Sequence, residues 1–536
     1  MKSLATAAAC IALASLTFFH FPGHTWLQQD TQIYVPILEH LHDPAVLRND
    51  LLVQHPHVAF TLYDEVALAL RAVSRTGFRE VLQAQQLATR ALGIWGLLLM
   101  AEALGLAWGA ALLVAAICSL GAAIAGPAVL TFEYEPSPRA FAVPLLLCAI
   151  GLAAHRRHLP AGIAAGAAFL YHPPTTLPFW GLYLLLAIWP HKDRRERLMA
   201  LLPLAASVAI LLVAARLQAS SGEAQNLFAR LDSSQEFLQR MRASYVWISL
   251  WPAATIAHHL LLLTIVAAAF TRVRHTMGIE LRTLLLGLAA VGVASMPFSW
   301  LLLEQWKWSL LPQVQPMRAL LFLALAMQFL TAAAGARALM ERAPAEAFAW
   351  FTLAYLLPLQ PVLTGPFLWT RVALAVGLAA ITAIASLAPR AGLRFGPAVA
   401  FAAFFAIPII GVVNYPRLHT PELAELSAWA RANTRPDSVF VFPDVNHGLA
   451  PGIFRSEALR AVFVDWKGGG QVNYLKNLGE QWWFRWQQTR NFQPGDLPKY
   501  AAIGIGYVVL QEPLPRAPLF QNTAYAVYRT AAPAAP

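Results

Sequence analysis

Carboxylate, guanidinium and imidazole side chains lie close to the ends of several long apolar segments of this chain. Charge is costly inside a lipid bilayer, so ionisable groups at segment ends are the first candidates for a functional site. Seven of them are predicted to face the same side of the membrane: Asp30, Glu133, Glu135, Arg139, His172, Lys307 and Arg318. A carboxylate can take a proton from an acceptor hydroxyl, and Arg or Lys can hold a phosphate that leaves with growing negative charge. The set is typical of group transfer from a lipid phosphate at the outer surface of the membrane.

Each of these residues also has a purely structural alternative. Asp30 can cap a helix or stay solvated, and the two glutamates can form a salt bridge with Arg139 at the rim of the protein. Arg318 can anchor a helix at the interface with its charged end in water. His172 is followed by two prolines, so it can simply end one helix and cap the next.

The sequence gives only weak evidence for a metal site. Cys10, Cys118 and Cys148 all fall inside apolar segments, without a CxxC partner or a histidine at ligand spacing. His55 and His57 form an H-x-H pair that could suggest a metal, but they lie in a loop without a nearby set of carboxylates. We therefore predict no metal ligands, and the sequence does not identify a cofactor.

The composition indicates which elements must position these groups. Of the 536 residues 58% are hydrophobic and 12% charged, with a mean hydropathy of +0.53. Soluble domains usually carry about 25% charged residues, so lipid must be the main solvent of this chain. The net charge of +11 would suggest nucleic-acid binding in a soluble protein. Here most Lys and Arg residues lie in short clusters between apolar segments, where they set topology, so we predict membrane lipid as a partner and no nucleic acid.

About thirteen apolar segments are predicted to cross the membrane, because a bilayer core of about 30 Å needs roughly 20 apolar residues. They lie at 3–21, 84–104, 107–125, 140–154, 159–171, 177–190, 198–218, 248–270, 283–303, 319–336, 347–363, 367–388 and 395–413. No A-x-A cleavage site follows the first one, which is predicted to be an uncleaved span. The segments around 140–190 are short and can be half-length helices on either side of a break at 171–174.

Basic residues predict the orientation. With the amino terminus in the cytoplasm, the inside loops contain 13 Lys and Arg and the outside loops contain 6. The inside loops are then 155–158, 191–197, 271–282, 335–343 and 389–394, and the outside loops are 126–139, 172–176, 219–244, 304–318 and 364–366. This distribution satisfies the positive-inside rule. Because the number of spans is odd, the carboxyl-terminal part is expected outside the cytoplasm.

The sequence therefore predicts an all-α polytopic membrane domain at 1–414 and a small α/β soluble domain at 415–530, followed by a disordered end at 531–536. Segment 22–83 forms the first large outside loop. In it, residues 57–75 have apolar side chains at helical spacing, typical of a helix lying on the membrane or packed on the spans. In the tail, short apolar strands alternate with helices, which favours an α/β domain.

The layout resembles the GT-C class of membrane glycosyltransferases, which includes protein O-mannosyltransferases and aminoarabinose transferases. The features that carry the resemblance are Asp30 just beyond the first span, a long first outer loop, an acidic second outer loop, many spans and an outward soluble tail. They cover residues 1–320 by layout. The resemblance implies a lipid-phosphate-linked sugar as donor, Asp30 as catalytic base, and Glu133 or Glu135 at a second acidic position. The usual pair of neighbouring acids in the first loop is here Gln29-Asp30, with one acid.

The tail resembles an uncharacterised domain found at the end of bacterial multi-span proteins, on the residues at 459–470 and the Trp-rich segment at 480–486. This likeness covers about 420–530 and implies no known activity. Lys467 precedes three glycines, which could cradle a phosphate at a helix start or form a tight turn. Trp482, Trp483 and Trp486 could stack on a sugar or fill the core of the domain.

These observations together predict a multi-pass protein of the bacterial inner membrane that transfers a sugar from a polyprenyl-phosphate donor at the periplasmic face. Asp30 would be the base, and Arg318 with Arg139 or Lys307 would hold the phosphate. One alternative is a transporter or flippase of a lipid-linked or small substrate. Such a protein should have charged groups in the middle of its spans, whereas Arg90 and Glu102 lie near span ends. The other alternative is a non-enzymatic envelope scaffold whose tail binds glycan.

Overall fold

The computed structural model describes residues 2–54, 61–189, 193–217, 228–360, 367–385 and 418–530, with positions 396, 399, 400 and 402. Up to residue 119 the helices are α1 (Lys2–Phe19), α2 (Thr31–His42), α3 (Leu51–Gln54), α4 (Tyr63–Ser74), α5 (Phe78–Glu102) and α6 (Trp108–Ser119). A short antiparallel hairpin follows, made of β1 (Ala123–Ile124) and β2 (Val129–Leu130). The next helices are α7 (Pro138–Ala154), α8 (His158–Tyr171), α9 (Pro173–Ile188), α10 (Arg194–Met199), α11 (Leu202–Leu217) and α12 (Ser233–Arg242).

The second half of the bundle is formed by longer helices. They are α13 (Ala253–Val273), α14 (Ile279–Ser299), which continues as a π-helix at Trp300–Gln305, α15 (Leu311–Val314), α16 (Leu320–Met340), α17 (Pro344–Leu359) and α18 (Trp369–Ala385). Helix α16 is apolar on all sides and lies in the centre, where it contacts α6, α13, α14 and α17. A helix that is hydrophobic all round belongs in a buried position, as α16 does.

Four helices are long and apolar enough to cross a membrane by length and composition. They are Arg194–Leu217 (α10 and α11 together), Ala253–Thr276 (α13 and the turn after it), Ile279–Gln305 (α14 with its π-helix) and Leu311–Met340 (α15 through α16). Six shorter apolar helices accompany them among the described residues, including α7, α8 and α9. The predicted segment 395–413 lies largely outside the described residues, as do the loop 364–366 and the end 531–536. The number of about thirteen spans therefore stays a prediction.

Small residues let helices α5 and α7 approach closely. A Cβ on Gly96 would overlap the backbone of Leu147, and a Cβ on Gly151 would overlap that of Gly96. Glycine at such a crossing allows close helix packing in a bilayer, where no hydrophobic force draws helices together. These contacts pack the second half of α7, the helix that begins at Pro138 and Arg139, against α5.

The break predicted at 171–174 separates α8 from α9. Helix α8 ends at Tyr171 and α9 begins at Pro173, with His172 between them. The His172 Nδ1 atom accepts a hydrogen bond from the Thr175 N–H at 3.2 Å and so caps α9. His172 therefore caps α9, as its structural alternative predicted. Its other ring nitrogen, Nε2, is not used in this cap.

Loops from alternate connections meet at the two ends of the bundle. At one end, Arg197 pairs with Glu280 at 2.6 Å and Arg272 pairs with Glu346 at 2.6 Å. These contacts join basic loops that the sequence places inside. His172 lies toward the opposite end, because α8 runs about 20 Å from His158 to Tyr171. The start of α2 and the turn of the β1–β2 hairpin lie near it, since Asp30 and Ala128 line the same cavity as His172.

The tail contains a mixed five-stranded sheet. Its helices are α19 (Pro421–Asn433), α20 (Ala450–Ala458), α21 (Lys476–Thr489) and α22 (Leu497–Ala502). Its strands are β3 (Val439–Val441), β4 (Ala461–Val462), β5 (Tyr507–Leu510), β6 (Phe520–Gln521) and β7 (Ala526–Arg529), in the order β4-β3-β5-β7-β6. Strand β3 is parallel to β4 and β5, whereas β7 is antiparallel to β5 and β6. At the start of α19 the Thr420 hydroxyl accepts the Leu423 N–H at 3.3 Å, an N-cap followed by proline at the first helical position.

The first loop packs against this tail. Arg455 in α20 donates to Asp50 at 2.7 Å and to Asp465 at 2.5 Å, and all three side chains are at most 3% exposed. Gln32 Nε2 in α2 donates to the Leu449 carbonyl at 3.3 Å. The first loop and the tail thus share one polar, buried interface.

Helix α4 lies within the region predicted to form an amphipathic helix, of which residues 57–60 lie outside the described part. Its Tyr63 and Ala67 are buried, and it contacts α2 and α5. Arg71 pairs with Glu39 of α2 at 3.0 Å, while Val73 is 83% exposed. One face of the helix therefore packs on the protein and the other is available to lipid or water.

Candidate active site

Asp30 is the residue immediately before α2, and Glu135 fixes the turn that presents it. The Glu135 carboxylate accepts the backbone N–H groups of Gln28, Gln29 and Thr31 at 2.5, 2.7 and 3.1 Å. Burial raises the pKa of Glu135, while the N–H groups of Thr31 and Gln29 favour its charged form. With its oxygens occupied by backbone donors, Glu135 is suited to position Asp30 and not to react.

The Glu133 carboxylate is also engaged, and one of its contacts is the salt bridge with Arg139 that the structural alternative predicted. Its Oε1 accepts from Arg139 Nε at 2.6 Å and from the Leu130 N–H at 3.3 Å. Arg90 of α5 donates to the Glu133 carbonyl at 3.0 Å, so this cation too supports the second outer loop. The pair with Arg139 offsets the charge of that arginine, which nevertheless lies beside Asp30.

The Asp30 carboxylate pairs with a lysine of the tail. Lys467 Nζ donates to Asp30 Oδ1 at 2.9 Å, and the side chains are 17% and 38% exposed. Burial raises the pKa of Asp30, but the charge and hydrogen bond of Lys467, together with Arg139 and Arg318, lower it by more. The pKa of Asp30 is held well below its usual range, so the carboxylate is ionised at neutral pH.

A tight turn presents Lys467. The Asp465 carboxylate, held by Arg455, accepts the Gly468 N–H at 3.3 Å. A 3₁₀ helix then runs from Gly468 to Asn473. A Cβ on Gly469 would overlap the ring of Trp482, so glycine is needed for this close approach. The three glycines thus form a turn behind the lysine, and Trp482 fills the core beneath it with 1% exposure.

A polar cavity of about 140 Å³ surrounds Asp30. It lies between the first loop, the start of α7, the break at His172 and the tail. The ionisable groups that line it and enter the argument are Asp30, Arg139, His172, Arg242, Arg318 and Lys467. One carboxylate and four permanent cations therefore face the same space.

Two of these cations have a carboxylate partner: Arg139 pairs with Glu133, and Lys467 pairs with Asp30. The other two cations leave the cavity with an excess of positive charge. Within the described part of the chain, neither Arg242 nor Arg318 forms an ion pair with a carboxylate. Arg242 Nε donates to the Trp466 carbonyl at 2.9 Å. Arg318 Nε is buried without a hydrogen-bond partner among the same residues. Unmatched guanidinium groups of this kind are typical of a site for phosphate or carboxylate.

His172 is neutral in this setting. Burial and the charges of Arg139 and Arg318 lower the pKa of His172 to about 3. Its Nδ1 accepts from Thr175, so the proton of the neutral ring is on Nε2. The imidazole can therefore donate one hydrogen bond to an anion in the cavity without adding charge.

An apolar cavity of about 410 Å³ adjoins the polar one. It lies between α9, α14 and α16, and Leu177, Val291 and Phe322 are among its apolar lining residues. His172 and Arg318 line both cavities. The arrangement fits an amphiphile whose charged head lies beside Asp30 and whose apolar chain lies between the helices.

Lys307 is not brought to this site. Its Nζ pairs with Glu236 of α12 at 2.6 Å, with the lysine side chain 46% exposed, and it does not line the cavity around Asp30. The predicted residues that do line the cavity are Asp30, Arg139, His172 and Arg318, with Glu133 and Glu135 behind them. Arg242 was not predicted, because neither neighbouring sequence nor a motif distinguishes it. For Lys467, the three glycines that follow it in the sequence were a signal that could have pointed to a functional site.

One group of potential metal ligands occurs among the described residues, at the other end of α8. His158, Asp193 and Glu280 place one ligand atom each within 4.8 Å of the others. Glu280 is already paired with Arg197 at 2.6 Å, a cation that competes with any metal ion there. The group has no connection with the cavity around Asp30.

Comparison with known proteins identifies the class of fold. The chain has a GT-C-like fold, the fold of a class of membrane glycosyltransferases. No family model matches the chain, and no curated protein sequence matches it. The fold assignment therefore rests on solved structures.

ArnT from Cupriavidus metallidurans in the apo state is similar over 99% of this chain and 98% of its own, with a TM-score of 0.50 and 12% identity. ArnT from the same organism bound to undecaprenyl phosphate gives a TM-score of 0.49 with the same identity and coverage. Arabinofuranosyltransferase AftD from Mycobacteria gives 0.43 and 15% identity, covering 95% of this chain and 35% of that one. At these identities the likeness to apo ArnT defines the fold alone, and the expected GT-C-like fold is confirmed.

Proposed function

We propose that this protein is an integral membrane glycosyltransferase that transfers a sugar from a polyprenyl-phosphate donor at the periplasmic face of a bacterial inner membrane. The observation that carries the proposal is the pair of adjoining cavities that share His172 and Arg318. One is polar, positively charged and contains the ionised Asp30. The other is apolar and lies between membrane helices, as a lipid tail requires.

The donor would lie across both cavities. Its polyprenyl chain would occupy the apolar space beside Leu177 and Phe322, and its phosphate would lie against Arg318. His172 Nε2 would add one hydrogen bond. These contacts hold the phosphate where negative charge grows as the bond to the sugar breaks, which is where fixed positive charge accelerates a reaction.

The transfer itself would be a direct displacement. The acceptor hydroxyl oxygen forms a bond to the anomeric carbon, while the bond from that carbon to the phosphate oxygen breaks. Asp30 takes the hydroxyl proton, and the polyprenyl phosphate leaves with the electron pair, stabilised by Arg318 and Lys467. When Lys467 turns from Asp30 to the phosphate, the pKa of Asp30 rises, so donor binding makes this carboxylate a stronger base.

The proposal includes the orientation of the protein in the membrane. The amino terminus would be cytoplasmic, and the cavity around Asp30 with the tail at 415–530 would face the periplasm. The basic loops joined by the Arg197–Glu280 and Arg272–Glu346 pairs would lie inside. The membrane domain would then be 1–414, with 22–83 as its first periplasmic loop.

Two substitutions test the proposal in an assay of sugar transfer, or in complementation of a deletion strain. Asp30→Asn keeps the shape and hydrogen bonding but removes the base, so turnover should fall by about 10²–10⁴-fold. Arg318→Ala should mainly weaken donor binding. If both variants are as active as the wild type, the enzyme hypothesis gives way to the transporter or the scaffold.

A further inference from the structure

A third cavity lies beside the cavity around Asp30 and is unlike the other two. It has a volume of about 260 Å³, close to the lower end of about 300 Å³ for small-molecule sites. Three segments line it: residues 229–239 leading into α12, residues 309–313, and residues 472–476 of the tail. Tyr474 lines both this cleft and the cavity around Asp30, so a ligand in the cleft borders the reacting groups.

Two buried amides among the residues that line this cleft have an oxygen without a hydrogen-bond partner in the described part of the chain. Gln239 and Asn473 are each 2% exposed, and within the described part of the chain Gln239 Oε1 and Asn473 Oδ1 form no hydrogen bond. Their nitrogen atoms are used, since Gln239 Nε2 donates to the Val472 carbonyl at 3.3 Å and Asn473 Nδ2 donates to the Tyr245 hydroxyl at 3.2 Å. These bonds orient both amides. Buried acceptors without partners are rare in proteins and call for a donor.

The rim of the cleft is polar, and its charged side chains are Arg230, Asp232 and Lys476, two cations and one carboxylate. Lys476 Nζ pairs with Asp232 at 2.6 Å, which offsets two of the charges in the lining. Gln235 and Gln313 add further amides, which can both donate and accept. Burial raises the pKa of Tyr474 to about 12, so its hydroxyl stays protonated and its ring offers a flat apolar face.

We propose that this cleft binds the acceptor substrate, and that the acceptor is a neutral, hydroxyl-rich carbohydrate. The inference rests on the proposed function, in which Asp30 takes a proton from the hydroxyl group of an acceptor. Sugar hydroxyls supply the hydrogen-bond donors that Gln239 and Asn473 require, and the rim amides complete the contacts. Tyr474 offers a face for the sugar ring next to the cavity in which the bond forms.

The chemistry of the lining separates this ligand from a lipid. The cleft has amides and an ion pair where the donor cavity has Leu177, Val291 and Phe322. An apolar chain would leave the oxygens of Gln239 and Asn473 unsatisfied, which is unfavourable in a buried site. Lipid tail and acceptor would thus approach Asp30 from different sides.

Binding of oligosaccharides to the full-length protein in lipid nanodiscs tests the proposal directly. The probes are an array of neutral hexose and pentose oligosaccharides, with uronic-acid oligosaccharides and Ser/Thr-rich peptides on the same surface. We expect binding to neutral oligosaccharides. Gln239→Met and Asn473→Leu each remove one buried acceptor and should weaken binding by about 3- to 10-fold, the usual effect of one neutral hydrogen bond. Gln488→Met, the same change at an exposed position of α21, should leave binding unchanged.

A second kind of variant keeps the test valid if those changes impair folding. Ser309→Trp places a large ring at the half-buried rim of the cleft and leaves both amides in the sequence, and it should abolish oligosaccharide binding. Binding only to peptides or to acidic oligosaccharides would overturn the proposed acceptor class. No binding at all, or wild-type binding by Gln239→Met and Ser309→Trp, would overturn the site.

The two proposals can fail separately. Asp30 does not line the cleft, so Asp30→Asn should bind neutral oligosaccharides as the wild type does. Oligosaccharide binding in a protein whose Asp30→Asn variant keeps full activity would reject the catalytic mechanism alone. Loss of turnover in Asp30→Asn, without any oligosaccharide binding by the wild type, would reject the acceptor cleft alone.

Discussion

Removing the amino group of Lys467 should weaken donor binding and change the pH dependence of transfer. Lys467 Nζ lies 2.9 Å from Asp30 Oδ1, in the same cavity as Arg318. In Lys467→Met the side chain keeps its apolar part but loses the charge. A phosphate in the cavity then loses one donor and meets an Asp30 carboxylate whose charge is no longer offset.

The magnitude follows from the kind of bond that is lost. A hydrogen bond to a charged group contributes about 1.5–3 kcal/mol, which corresponds to roughly 10- to 150-fold in affinity. Arg318 and Arg242 remain, so binding should be weakened and not abolished. The pKa of Asp30 is held low mainly by Lys467 against the effect of burial. Without the lysine this pKa rises, so the acidic limb of the kcat/KM profile should move to higher pH.

The assay is binding of polyprenyl phosphate to the protein in nanodiscs at low ionic strength, followed by transfer measured across pH. Lys499→Met is the matched control, because Lys499 is in the same tail, is 79% exposed and forms a local pair with Asp496 at 2.7 Å. Lys467→Arg should restore part of the affinity. The reasoning is refuted if Lys467→Met binds polyprenyl phosphate as tightly as the control and has the same pH profile.

Three further results are expected. Arg455→Met leaves Asp50 and Asp465 buried without their cation, so it should lower the free energy of unfolding by about 3–5 kcal/mol in detergent; an unchanged melting curve would contradict this. Lys307→Met removes an exposed ion pair worth about 0–1 kcal/mol, so sugar transfer should stay close to the wild-type rate. A large loss of transfer would show that Lys307 does act in the site. Alkaline phosphatase fused after Tyr528 should be active in the periplasm, whereas activity of a cytoplasm-only reporter there would invert the topology.

Local signals in the sequence predicted several elements because the physics behind them is local. Two prolines after His172 deny the backbone two donors, and α8 and α9 separate there. Thr420 followed by Pro421 predicted the start of α19, where the hydroxyl caps the helix. Alternating apolar segments in the tail correspond to strands β3, β4, β5 and β7. The span count could not be fixed in the same way, since half-length helices and turns share the composition of full spans.

The distinction among the acidic residues could not be read from their neighbours. Glu133 and Glu135 are two positions apart in the same loop and look equivalent. Their difference depends on what each meets: an arginine six residues away for Glu133, and backbone N–H groups 104 to 107 residues away for Glu135. Such partners are set by how α2 and α7 pack, for which one sequence carries no signal.

By itself, the sequence indicated a polytopic protein with lipid as its main solvent, and its layout resembled the GT-C class, with Asp30 just beyond the first span. Composition and periodicity act along the chain, so they can be read without the fold. Only the tertiary structure decided that Lys467, 437 residues from Asp30, supplies its counter-charge, and that His172 and Arg318 join a polar cavity to an apolar one. Pairing of charges depends on distance in space, and that distance exists only after the first loop and the tail have packed together.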